Sequence, residues 1–157
     1  MIAFLSRLFG RGEPVISVAR PSDAHAIAAI HAASFQRGWG DDELHRLLLE
    51  KNVVAHRSTI GRHVVGFILS RMAAGEAEIL SVAVEPAWRG RTIARPLLDL
   101  HLRRLAGLGV RSVFLEVDEH NVPACRLYRR AGFRDVGQRK GYYQGGKTAL
   151  VLRRDLG

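Results

Sequence analysis

At 157 residues, with 47% hydrophobic and 25% charged residues, the chain has the composition of one globular domain, which excludes a disordered or fibrous polypeptide. Its formal charge of +9, from 24 basic against 15 acidic residues, suits an anionic cofactor, a nucleic acid or an acidic partner surface without choosing among them. One cysteine, Cys125, excludes an internal disulfide framework and suits a reducing, cytoplasmic setting, and no apolar run approaches the roughly 20 residues of a membrane span.

Residues 1–12 (MIAFLSRLFGRG) read as a short amphipathic lead-in, packed or frayed. Arg7 breaks the apolar run too early for a signal peptide, and weak surface docking is the alternative. Residues 13–157 read as a single domain. Pro14–Arg20 alternates enough for a first strand. Ser22 or Asp23 can cap the helix that follows to about Phe35. Gln36–Gly40 is a break, and Asp41 or Asp42 caps a second helix through Leu44, Leu47 and Leu48. Val53–Thr59 is a candidate strand, Gly61–Arg62 a turn, His63–Ser70 a strong strand, and Met72–Gly75 a hairpin closure.

The centre of the chain is Glu78–Arg95, EILSVAVEPAWRGRTIAR. Ile79, Leu80, Val82 and Val84 form a short apolar strand that Pro86 ends. The basic turn Arg89–Thr92 then feeds a helix marked by Ile93, Leu97, Leu98, Leu102 and Leu105. A flexible cationic turn at a helix N-terminus offers free N–H groups and the positive end of a dipole, which is the chemistry of a phosphate site. Gly107 and Gly109 stop that helix, and Val110–Val117 is the next strand. Asn121 can cap a helix with Pro123 in its first turn, Gly132 ends it, and Phe133–Gln138 and Lys147–Arg154 are the last two strands.

The order is β-α-α-β-β-β-α-β-α-β-β. The strand–helix–strand unit over 79–117 requires parallel pairing through a right-handed crossover, and the flanking hairpins make the sheet mixed. The fold class is therefore α/β with a mixed, twisted sheet, whose cleft opens at the strand ends of this unit. Glu116 lies in an otherwise apolar strand, where desolvation would make its carboxylate a better base. An outward-facing edge glutamate is the plainer reading. Tyr128 lies in the following helix, where a lone tyrosine is commonly core with a wet hydroxyl. Cys125 has no histidine near it in sequence and reads as packing. The histidines lack metal-ligand spacing, so no metal is assigned.

The segments AEILSVAVEP, WRGRTIARPLL, FLEVDEHNVPACRLYRRAGF and GYY, and more weakly HAASFQRGW, resemble the GCN5-related N-acetyltransferase (GNAT) superfamily, specifically RimI-type enzymes that acetylate a ribosomal-protein N-terminus. The resemblance implies the GNAT fold, with about six or seven strands and about four helices. It implies acetyl-coenzyme A as cosubstrate. Val82, Ala83 and Val84 would pair with its pantetheine arm and steady the oxyanion. Gly90, Arg91, Thr92, Ile93, Ala94 and Arg95 would bind the pyrophosphate, and Asn121 would make a further cofactor contact. Glu116 matches the proton acceptor and Tyr128 the proton donor. The implied partner is a peptide or protein N-terminus, that of a small-subunit ribosomal protein by resemblance, with no direct nucleic-acid or membrane role.

One departure stands out: the family loop, Gln/Arg-x-x-Gly-x-Gly/Ala, here reads Arg89-Gly90-Arg91-Thr92-Ile93-Ala94, so Thr92 occupies the first glycine position. The acceptor would lie across Trp39, Tyr142 and Tyr143, which could equally be a packed loop and hairpin. Arg129, Arg130, Arg134, Arg139 and Lys140 read as a solvated face before an RNA surface. The alternatives are a lysine or small-amine acetyltransferase and, from another class, a non-catalytic basic RNA- or ribosome-binding module.

Overall fold

The computed structural model describes residues 12–35, 38–90, 92–142 and 146–157. The lead-in therefore lies almost wholly outside the described residues. Among them the strands are β1 (Val15–Val18), β2 (Val53–Ile60), β3 (His63–Ala73), β4 (Glu76–Val84), β5 (Ser112–Asp118), β6 (Arg134–Arg139) and β7 (Ala149–Asp155). The helices are α1 (Ala24–Ser34), α2 (Asp41–Leu49), α3 (Ala94–Gly107) and α4 (Val122–Arg130). They follow one another in the order predicted from the hydropathy pattern.

One mixed sheet runs β1-β2-β3-β4-β5-β7-β6. Every neighbouring pair is antiparallel except β4 and β5, which the α3 crossover joins in parallel. Period-two alternation gives the sheet two apolar faces. On one, Ile27, Ile30 and Leu44 of α1 and α2 pack on Phe67, Leu69 and Ala83. On the other, Leu97, Leu98, Leu102 and Leu105 of α3 and Cys125 and Tyr128 of α4 pack on Ile68, Ile79, Val113, Leu115 and Val117. The fully buried leucines of α3 each contribute about 1.5–3 kcal/mol relative to exposure, which holds that helix to the sheet. No helix among the described residues is long and apolar enough to cross a membrane.

The helix starts differ from expectation in two places. Asp23 stands at the N-cap of α1, but its carboxylate instead accepts from the Arg20 backbone N–H at 2.7 Å and pairs with Arg57. Gly40 is the N-cap of α2; Asp41, Asp42 and Glu43 fall inside its first turn, where their charge complements the dipole. The β3–β4 hairpin is tighter than Met72–Gly75, with Ala73 paired to Glu76 around Ala74 and Gly75. Both turn residues have positive φ, 52° and 78°, as a two-residue loop matching the strand twist requires.

Candidate active site

The site begins with a failure of strand pairing. β4 and β5 are joined only through Glu76–Ser112, Ala77–Val113 and Glu78–Phe114, although β4 continues to Val84 and β5 to Asp118. The physical cause is a bulge in β4. On its other edge Ile79 pairs with Ser70 and Ser81 with Leu69, so Leu80 is the extra residue. The bulge also resets the alternation: Ala77 and Ile79 face the α3 side before it, and Val82 faces that side after it. Beyond Glu78 the β5-facing edge of Val82–Val84 lies outside the ladder, leaving a wedge lined by backbone hydrogen-bonding groups.

At the mouth of the wedge the chain makes a short 3-10 turn, Pro86–Trp88, and enters the basic loop. Arg89 clamps this loop in place: its Nε donates to the Val84 carbonyl at 3.1 Å and its Nη2 to Ser34 Oγ at 2.9 Å. Gly90 has φ 76° and Thr92 φ 52°. Thr92 thus stands in the left-handed region that favours glycine, where a β-branched residue is strained. Ile93 is buried at the N-cap of α3, and no side chain caps that end, so the N–H groups of Ala94 and Arg95 are available to an anion. Pro96, third in the helix, has no N–H to leave unsatisfied. Arg95 pairs with Asp99 at 3.0 Å. Arg91 lies outside the described residues.

Glu116 and Tyr128 flank the wedge from opposite faces of the sheet. Tyr128 is buried with Leu115 and Val117, its ring edge-on to Phe133 at 5.7 Å. Glu116 lies between those two residues in β5 and so points the other way, into a groove of about 350 Å³ that Arg71, Glu78, Phe114, Arg139 and Val151 also line. The groove crosses the last paired rung, Glu78 opposite Phe114, and reaches Glu116 where the strands part. The neighbours of Glu116 are not only apolar, as the strand pattern alone predicts: Arg139 Nε lies 3.0 Å from its Oε1. Asn121 caps α4 as predicted, accepting from the Ala124 N–H at 3.3 Å. Its amide nitrogen remains the donor it could offer a ligand.

The predicted acceptor aromatics separate. Trp39 is not a lining residue of the groove. It stacks on His31 at 4.5 Å and 12°, and its backbone N–H donates to His31 Nδ1 at 3.0 Å. Burial lowers the pKa of His31, with the charge of Glu43 opposing, so the imidazole accepts as the neutral form. Tyr142 is exposed and its ring lies 5.3 Å from the Arg139 guanidinium carbon. Tyr143 lies outside the described residues. Cys125 is buried, and burial foremost pushes its thiol pKa up, which suits packing and not nucleophilic attack.

Sequence reasoning missed three side-chain roles. Arg139 belongs to the groove and not to a solvated face, Arg89 anchors the basic loop, and two scattered histidines meet under α3. His56 Nδ1 lies 2.7 Å from His101 Nδ1, and His101 Nε2 lies 2.7 Å from Ser70 Oγ. The contacts of Arg139 with Glu116, of Arg89 with Ser34 and of His56 with His101 each span more than twenty residues, so no local signal could have found them. Among the described residues no three metal-ligating side chains converge.

Comparison with known proteins gives a consistent picture. Residues 24–133 match the Acetyltransferase (GNAT) family. The chain is 35% identical over 156 residues to the N-alpha-acetyltransferase RimI of Mycobacterium tuberculosis, covering 92% of this chain and 95% of that protein. It is 31% identical over 136 residues to the putative [ribosomal protein bS18]-alanine N-acetyltransferase of Bacillus subtilis, covering 85% and 89%. The crystal structure of the ribosomal-protein-S18-alanine N-acetyltransferase from Escherichia coli superposes with a TM-score of 0.86 at 22% identity, over 92% of this chain and 94% of that one.

Proposed function

The chain belongs to the acetyltransferase (GNAT) family, which uses acetyl-coenzyme A, and from that premise we propose that its acceptor is the free α-amino group of a peptide N-terminus, with the terminal alanine of ribosomal protein bS18 as the first candidate. The observation that carries this reading is the wedge between β4 and β5 with Glu116 on one face and Tyr128 on the other. A thin, extended thioester-bearing arm fits such a wedge, and an amine can approach it along the groove that ends at Glu116.

The residues present fit the coenzyme. The unladdered edge of Val82, Ala83 and Val84 would hold the pantetheine arm, and the N–H groups of Val82 and Val84, which alternation turns away from β3, would face the carbonyl on which negative charge develops. Gly90, Thr92, Ile93, Ala94 and Arg95, with Arg91 from the loop, would hold the pyrophosphate at the N-terminus of α3. Asn121 would add a donor from α4. When bound, the coenzyme supplies an acetyl group activated as a thioester.

The chain's own residues then move protons. An α-ammonium of pKa about 7.7–8.0 cannot attack until it loses a proton. Glu116 takes that proton, directly or through one water, and the neutral amine attacks the carbonyl carbon. Tyr128 gives a proton to the departing thiolate sulfur, and the second proton that the nitrogen sheds as the amide forms restores the tyrosine through water. Attack would be direct in a ternary complex; the burial that raises the Cys125 thiol pKa disfavours an acyl-enzyme on that residue. A ribosomal protein substrate would put this work in the cytoplasm.

Mass spectrometry of a peptide panel differing in the first residues, with a blocked, lysine-containing control, tests the acceptor class. The free N-terminus gains 1 acetyl group and the blocked control none; acetylation of the control alone would transfer the assignment to lysine. Glu116→Gln and Tyr128→Phe keep the affinity for acetyl-coenzyme A and lower kcat about 10²–10⁴-fold. Unchanged turnover in both would remove these two roles.

A further inference from the structure

Arg139 differs from the other arginines of its face. Arg129 and Arg134 pair with Asp135 and Asp155 at the surface, whereas Arg139, the last residue of edge strand β6, reaches over Val151 of β7 into the groove to meet Glu116. The Glu116 side chain is 19% exposed and the Arg139 side chain 58% exposed, so the carboxylate is set into the groove while the guanidinium stands largely in water. The groove's other cation, Arg71, is held 3.2 Å from Glu50. Arg139 is therefore the cation that satisfies Glu116 in the groove as it stands.

We propose that Arg139 is a positioning residue, the resident counter-ion of Glu116, which holds the carboxylate aimed into the groove and is displaced by the ammonium of an incoming peptide. The inference rests on the acetyltransferase reading of this groove. Its physical basis is competition between two cations for one carboxylate. The guanidinium is bulky, weakly hydrated and tethered to an exposed edge strand. It has a second resting place, since the Tyr142 ring lies 5.3 Å from its central carbon. A peptide ammonium is compact, with three donors, and can follow the groove to Glu116. An acetylated N-terminus is neutral and cannot compete, so its binding leaves the Arg139–Glu116 pair in place.

This predicts a signature that a merely structural arginine would not produce. With coenzyme A present, Arg139→Ala binds a free-N-terminus peptide about fivefold more tightly, the scale of one partly exposed ion pair, while the affinity for the N-acetylated twin is unchanged. In turnover, Arg139→Ala lowers KM for the peptide and lowers kcat as well, because the base is no longer aimed. Arg139→Lys keeps a cation beside Glu116, so the free peptide shows none of the roughly fivefold tightening seen with alanine. On a Glu116→Gln background, Arg139→Ala has no effect on either peptide, since the double-mutant cycle isolates this one pair. Arg139→Gln, which keeps the aliphatic stem, repeats the measurement if the alanine variant loosens the β6–β7 hairpin.

Equal tightening of both peptides, no tightening of the free one, or tightening that persists with Glu116→Gln overturns the proposal. The two failures are separable. A wild-type chain that acetylates no free N-terminus defeats the functional reading, whereas a wild-type chain that does so with Arg139 uncoupled from Glu116 defeats only this inference.

Discussion

Thr92 is the residue on which the loop turns. A left-handed backbone costs a non-glycine residue about 1–2 kcal/mol, and Thr92 adopts a φ of 52° although its side chain is β-branched. The surroundings impose it: Arg89 fixes the loop before it to Val84 and Ser34, and buried Ile93 fixes the chain after it. Glycine also loses more chain entropy on folding, which offsets part of the relief. Thr92→Gly should therefore stabilise the protein by about 0.5–1 kcal/mol, read as a higher urea midpoint. It should also tighten acetyl-coenzyme A in calorimetry, because the backbone can approach a phosphate without a Cβ in the way. A lower midpoint would mean that the threonine hydroxyl contributes more than its backbone costs.

At the scale of the element, α3 carries both ends of the problem. Its N-terminus is open for an anion, and its middle is anchored by leucines and by His101, which is fully buried with contacts to His56 and Ser70. Burial, and secondly the charge of His56, push His101 down to about 3; burial also lowers His56, with Arg104 adding to it. These groups fold neutral, whereas in the unfolded chain they titrate near 6.5. Their contribution is fully present above the unfolded value and is lost as pH falls from there towards the folded one. His101 alone should remove about 2 kcal/mol between pH 6.5 and pH 5, and chemical unfolding at the two pH values measures it. A flat profile over that interval would show that the buried network accepts a proton without cost.

The whole molecule works as a sheet opened along one seam. The wedge between β4 and β5 is held open by two helical layers: α1 and α2 keep β4 on one face, and α3 and α4 span both strands on the other. A ligand that fills the seam binds only the folded chain, so it must stabilise that chain by mass action. At 100 times its Kd, acetyl-coenzyme A should add about 2.7 kcal/mol, seen as a rise in Tm, and an RNA fragment at equal concentration should add less. A larger rise with RNA would favour the basic-module alternative. Glu116→Gln should show the same ligand-induced rise as wild type, since the carboxylate faces the acceptor groove and not the coenzyme edge.

Local chemistry wrote the element order. Periods of 2 and 3.6, the Asn121 cap and the prolines at helix starts act within a few residues, so the strand–loop–helix at 79–105 and the helix start at Asn121 could be read directly from the sequence, whereas the roles of Glu116 and Tyr128 rest on the family resemblance. So does the identity of the odd residue in the loop, Thr92. Only the tertiary structure decided how far β4 and β5 remain paired, because that depends on a bulge set by β3. It alone set Trp39 on His31, brought His56 to His101 across 45 residues, and carried Arg139 over β7 to Glu116. Those contacts join charges and rings whose sequence neighbours are unremarkable; packing of separate strands and helices brings them together, and no short stretch of chain encodes it.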